Sequence, residues 1–155
     1  MNTMTTRALI LGLLVAVWTW VAGAARLHVS IWAGFVALGC FLVAGGGVPA
    51  LQKTALAAVS GVVWVLMAQA VAPAIGGGSV VHAVVLGATA TALVLQSRLP
   101  LLSFTPAAFG GAGVAYGLGV STLQGGVRAA IGLVAGAVLG FAAERLVDAV
   151  GAPRA

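Results

Sequence analysis

Six apolar runs, each close to the length that crosses a bilayer and joined by short connections, leave this chain little room to be anything but a membrane protein. They occupy 8–25, 29–50, 54–72, 79–96, 104–123 and 129–147. A spanning helix needs about 20 apolar residues, so a chain of this length holds about six spans and no hidden extramembrane domain. Spanning strands would alternate apolar and polar residues over about 10 positions, and none of the runs alternates. Charged residues make up 6% of the sequence, against roughly a quarter in soluble domains, and cannot coat a soluble surface. The expected fold class is an all-α membrane bundle of about six transmembrane helices, a single domain over 1–155, with the fifth helix broken or partly re-entrant at its start.

The first run imitates a signal peptide, because Arg7 precedes it and Ala22-Gly23-Ala24 resembles a cleavage site. It is long for such a segment, carries the bulky Trp18 and Trp20, and is flanked at once by Arg26, so it is read as the first span.

The net charge of +5 does not point to nucleic acid, since the basic residues stand singly between apolar runs. With alternating spans, Arg7, Lys53, Arg98, Arg145 and Arg154 fall on one side, and Arg26 and Arg128 on the other. Basic residues in short loops are retained in the cytoplasm, which predicts cytoplasmic termini in the inner membrane of a bacterium. Trp18, Trp20 and Trp32 then gather at the outer interface, where an indole ring is stable between acyl chains and water.

Two runs are interrupted by helix breakers. Gly45-Gly46-Gly47-Val48-Pro49 breaks the second, and the fifth opens on Pro100 and Pro106 and continues through Gly110, Gly111 and Gly113. Backbone released by Pro or Gly at membrane depth has to be satisfied by protein or water. The chain divides into three runs plus three near 76–78, but the halves do not align by eye and these two breaks fall on the same side, so no inverted repeat is expected.

Small residues dominate the packing signal. Gly132, Gly136 and Gly140 recur every four positions on the sixth helix, and Gly113 and Gly117 repeat the spacing on the fifth, which suits close helix contacts within the chain or with a second copy. Glu144 and Asp148, beside Arg145, are the only acids and sit near the end of the last run. Proton-coupled transport generally relies on buried acids or His, and His82 is the one such candidate near a span interior, with His28 at an interface. No acid pair, metal-ligand set or nucleophile elbow is present, and the lone Cys40 permits no intrachain disulfide, so neither an enzyme nor a bound metal or cofactor is expected. Ser103 and Thr105, beside Pro100 and Pro106, combine hydroxyls with freed carbonyls that suit the replacement of water around a neutral solute.

Trp32-Ala33-Gly34-Phe35-Val36-Ala37-Leu38-Gly39-Cys40-Phe41, Ser60-Gly61-Val62-Val63-Trp64 and Ser103-Phe104-Thr105-Pro106-Ala107-Ala108-Phe109-Gly110-Gly111 resemble segments of a family of small bacterial inner-membrane proteins of unknown function, of the DUF1097 type. The resemblance covers most of the chain from the second run onward. It implies a helical inner-membrane protein of this size and brings no substrate or catalytic residue with it. The stretch from Leu99 to Pro106 also resembles the Leu-Pro and Thr-x-Pro-Phe elements at re-entrant segments of urea transporters, departing from them in that Thr105 directly precedes Pro106.

These residues point to a passive channel or facilitator for a small uncharged solute. Ser103, Phe104, Thr105, Pro106, Phe109, Trp64, Tyr116 and His82 are its candidate pore or substrate residues. A non-transporting structural or assembly protein is the alternative, and a coupled secondary transporter a second. The expected partners are the lipid bilayer, further copies of the chain as a homo-oligomer and a small neutral solute, with no nucleic acid.

Overall fold

A computed structural model describes residues 3–24 and 30–150; Arg26, His28 and Arg154 lie outside the described residues. The chain is an all-α membrane bundle. Its helices are α1 (Thr3–Ala24), α2 (Ile31–Val43), α3 (Gly47–Ala74), α4 (Ser79–Leu95), α5 (Thr105–Gly117) and α6 (Leu123–Ala149), with 3-10 turns at Gln96–Arg98 and Pro100–Leu102. Four stretches are long and apolar enough to cross a membrane: Met4–Gly23, Gly47–Ala74, Ser79–Arg98 and Leu123–Ala149. The other two helices, α2 and α5, have 13 residues each. At 1.5 Å per residue they rise about 20 Å, short of a hydrocarbon core of about 30 Å.

The helix ends differ from the apolar runs where glycine sets the backbone. The run 29–50 is not one helix: α2 stops at Val43, three successive glycines with φ of +92°, +79° and +74° reverse the chain, and 47–50 already belong to α3. Pro49 therefore lies in the first turn of α3, where its missing N–H has no partner to lose. The run 104–123 is likewise shorter as a helix. Gly119, at φ +62°, lets the N–H of Val120 reach back to the carbonyl of Ala115 at 2.9 Å and closes α5. Residues 123–128 then start α6 well before the expected boundary of 129.

Small side chains bring the backbones together. A β-carbon on Gly61 would meet the carbonyl oxygen of Ala108, one on Gly111 that of Ala58, and one on Gly136 that of Gly34. The contacts join α3 to α5 and α6 to α2. In lipid, such close approach gains the dispersion attraction that apolar burial cannot supply.

The two halves of the chain repeat one arrangement. Inward-facing residues of α2 are Ala33, Gly34, Ala37, Leu38 and Phe41, and α5 buries Ala107, Ala108, Gly111, Ala112 and Ala115 at the same spacing, with Ala33 falling on Ala107, and Val114 in addition. Thr54, Ala57, Ala58, Gly61, Val62, Val65, Ala68 and Ala72 of α3 correspond in the same way to Ala129, Gly132, Leu133, Gly136, Ala137, Gly140, Ala143 and Val147 of α6. The packing follows the exchange: α2 packs on α6 as α5 packs on α3, α1 on α6 as α4 on α3, while α3 meets α6 and α2 meets α5. Val36 lies beside Gly110, and the Cys40 thiol, 3.8 Å from the Pro106 carbonyl, lies one turn further along α2 and one turn earlier along α5, so these helices run antiparallel. An antiparallel pair exchanged by symmetry places the approximate two-fold axis across the helices, as in an inverted repeat. The sequence reading missed it by comparing the wrong breaks. The counterpart of the Gly45–Gly47 turn is the turn around Gly119, not the stretch 98–106.

Candidate functional site

The start of α5 is set by its two prolines. Pro100 opens a 3-10 turn, and its carbonyl, with no helix to join, accepts the hydroxyl of Ser103 at 2.9 Å. Thr105 then begins α5 with Pro106 in the first turn, a position that suits a residue without an N–H. Ser103 and Pro106 are exposed and Thr105 is half-buried. Phe104 turns the other way and packs against the buried core, where it anchors the segment.

From Thr105 onward the candidate residues fall into register. Thr105, Phe109, Gly113 and Tyr116 are three or four residues apart and share one helix face. Phe109 is 42% exposed and Tyr116 47%, and nothing lies within 4 Å of a β-carbon placed on Gly113 or Gly117. These two glycines therefore face out of the protomer, and the close contact of α5 with α3 is made by Gly111 instead. On α2 the symmetry-related residues Phe35, Gly39 and Leu42 are exposed as well. The two short helices thus present a joint outward face of aromatic rings and bare backbone, with Thr105 and Ser103 near one end.

The remaining candidates lie elsewhere. Trp64 of α3 donates its indole N–H to Oε1 of Gln96 at 3.0 Å, and the Gln96 amide donates to the Ser60 hydroxyl at 2.9 Å, which donates in turn to the Ala57 carbonyl at 2.7 Å. This hydrogen-bonded series ties the 3-10 turn that follows α4 to α3 and leaves Trp64 half-buried on the core. His82 is half-buried in the first turn of α4, its backbone N–H bonded to the Gly78 carbonyl at 3.0 Å. Gly132, Gly136 and Gly140 are buried, with Gly136 against Gly34 and Gly140 against the Phe41 ring, so this stripe serves the contact with α2. Trp18 packs on Gly34, while Trp20 and Trp32 are exposed.

The interior between the helices is filled by Ala, Val, Leu and Gly, and Thr54 is buried among them at 0% exposure. Among the described residues no group of His, Cys, Asp and Glu is placed to hold a metal ion.

The family described as "Protein of unknown function (DUF1097)" matches residues 8–148. A protein of Escherichia coli (strain K12) named "Inner membrane protein YcdZ" is 36% identical over 118 residues, which cover 72% of this chain and 68% of the relative. Its namesake in Salmonella typhimurium (strain LT2) is 36% identical over 72% of this chain and 69% of its own length. No solved structure matches.

Proposed function

We propose, for a chain that belongs to the DUF1097 family of inner membrane proteins, a passive facilitator of a small uncharged solute whose path runs between copies of the chain. The observation that carries the reading is the outward face of α2 and α5. Two helices about 20 Å long end at membrane depth, and irregular backbone there is tolerated where it lines a cavity or is covered by protein. In inverted repeats, short or interrupted helices of this kind sit beside the transported solute. The apolar packing of the described core supports a path outside it, along the exposed face of α2 and α5, with a second copy of the chain completing it. Rings of Phe109 and Tyr116 would set its width, and the Thr105 hydroxyl with the backbone beside Gly113 and Gly117 would replace water around a neutral solute. Both acids lie near the end of α6, away from this face, so flux should follow the solute gradient without a proton. The basic residues support cytoplasmic termini.

The experiment is equilibration of small neutral solutes into liposomes carrying the purified protein. Thr105→Val keeps the side-chain shape and removes the hydroxyl, so it should slow flux several-fold while leaving thermal stability unchanged. Concentration of a solute by an imposed pH gradient would reassign the protein to coupled transport. Folded protein that moves no member of a broad panel faster than empty liposomes would leave the non-transporting assembly role, which the dry core of the protomer favours.

A further inference from the structure

Two contacts fix the height of α6 against α3. The Glu144 carboxylate accepts the Gly47 N–H at 2.6 Å, and a β-carbon on Gly126 would meet the Leu66 side chain, so the two helices run antiparallel. From either contact, equal numbers of residues inward bring Ala58 of α3 level with Leu133 or Val134 of α6, and Leu133 is the symmetry equivalent of Ala58. The approximate two-fold axis therefore crosses the bundle near Ala58, and in an inverted repeat that axis lies in the membrane plane. Helix α3 rises about 42 Å over its 28 residues, so its ends project beyond a hydrocarbon core of about 30 Å.

The connection between α4 and α5 lies at the height of this axis. Gln96, at its start, is bonded to Ser60 and Trp64, just above Ala58. Beyond its other end, a β-carbon on Gly111 would meet the Ala58 carbonyl, and Thr105 begins α5 about 9 Å nearer the Gly47 end. Helix α4 starts from the Ala74 end of α3, and α5 leads back to the start of α6, which lies beside Leu66. The pair is thus a hairpin entered from the Ala74 end with its tip near the axis. Arg98, in the 3-10 turn that Gln96 opens, stands at that tip and is exposed.

At the centre of a hydrocarbon core a guanidinium is too deep to reach the headgroups and needs a counter-charge or water. The two acidic side chains of the sequence cannot supply the charge, because Glu144 is level with Gly47, about 16 Å from the axis, and Asp148 is further out. The backbone makes the same demand, since Leu99, Pro100, Leu101 and Ser103 are exposed in irregular chain that lipid cannot satisfy. We infer that the hairpin tip borders a water-filled vestibule near the membrane midplane and that Arg98 is its specificity residue, which donates to solutes carrying an acceptor oxygen and rejects cations. The vestibule opens towards the Gly47 end, the half of the bilayer that the hairpin leaves unfilled. Its hydration stands on the geometry alone; the passage of a solute past Arg98 rests on the facilitator reading and narrows the solute to a neutral molecule with a carbonyl or similar oxygen.

The test is thiol labelling of the full-length protein in nanodiscs, where both membrane faces meet the reagent. Leu99→Cys and Ser103→Cys, each in a Cys40→Ala background, are compared with Ile131→Cys, which is 50% exposed on α6 two residues from Leu133 and so at the same depth. The first two should react with impermeant methanethiosulfonates and the third should not. At Leu99→Cys the sulfonate reagent should react about ten-fold faster than the trimethylammonium reagent, after correction for their rates with a free thiol. Arg98→Gln should remove that preference and Arg98→Lys should keep it. If Arg98→Gln fails to fold, the reagent comparison with Arg98 intact and in Arg98→Lys decides. Cysteines at 99 and 103 as silent as Ile131→Cys would overturn the vestibule; equal rates for the two reagents, or a preference that survives Arg98→Gln, would overturn the role of Arg98. Labelling as expected in protein that carries no flux in liposomes would count against the facilitator and leave the vestibule standing.

Discussion

Replacing Gly136 with alanine adds one methyl group, and the structure says where it goes: into the carbonyl of Gly34 on α2. That approach is far inside the 3.0 Å below which real β-carbons essentially never come, and the obstructing atoms are backbone, which cannot rotate away. Helices α2 and α6 must separate by roughly an ångström, loosening the contacts of Gly132, Gly140 and Phe41 along the same seam. Overpacking of this kind costs about 1–3 kcal/mol, and a rigid obstruction belongs at the upper end. Alanine regains up to about 1 kcal/mol of helix propensity, so the net loss is about 2 kcal/mol. Gly113→Ala is the matched control, since its methyl meets nothing within 4 Å and the propensity gain stands alone. Gly61→Ala, at the symmetry-related position on α3, should lose about as much as Gly136→Ala. The assay is reversible unfolding in mixed micelles titrated with denaturing detergent, read by tryptophan fluorescence. Equal midpoints for Gly136→Ala and Gly113→Ala would refute the close approach of α2 and α6, and a large gap between Gly61→Ala and Gly136→Ala would refute the equivalence of the halves.

Gln96→Leu removes the group that joins Trp64 to Ser60 and should cost about 1–3 kcal/mol in the same assay, because the indole N–H is left without its acceptor; Trp64→Phe, which removes the donor, should cost less. For topology, single cysteines at Gln52 and Ser97 in a Cys40→Ala background should be shielded from an impermeant thiol reagent in intact cells, while one at Gly77 should react. Reaction at Gln52 from outside would reverse the orientation.

The helical membrane bundle was legible because lipid imposes it: runs of span length without alternation admit one solution. The Gly132, Gly136, Gly140 stripe was legible because its spacing is the period of a helix face. Gly113 and Gly117 have the same spacing and face outward, so the period identifies a shared face and not what covers it. The face of α5 was partly legible, since Thr105, Phe109 and Tyr116 were singled out for their chemistry and the helix aligns them. His82 was grouped with them as the titratable side chain near a span interior and Trp64 as a mid-span aromatic, but they lie on α4 and α3 and folding separates them from the α5 face. The Glu144 bond to Gly47 was hidden by its sequence separation of 97 residues, although a triple glycine at the start of a helix signals a turn that an anion can approach.

The inverted repeat was hidden for a different physical reason. A membrane core selects residues for size, so Ala57 and Gly132, or Gly34 and Ala108, are interchangeable in packing while scoring as mismatches in an alignment. What survives is the periodicity of burial and a few anchors: Phe35 with Phe109, Gly61 with Gly136, Lys53 with Arg128. The last pair connects symmetry to topology. The antiparallel exchange of α2 and α5 places the starts of α3 and α6 at opposite ends of the bundle, which is the arrangement that the alternation of Lys53 and Arg128 expects. Two halves that share their packing and these basic anchors, yet have Glu144 in one and Gln69 in the other, differ in charge where they agree in fold.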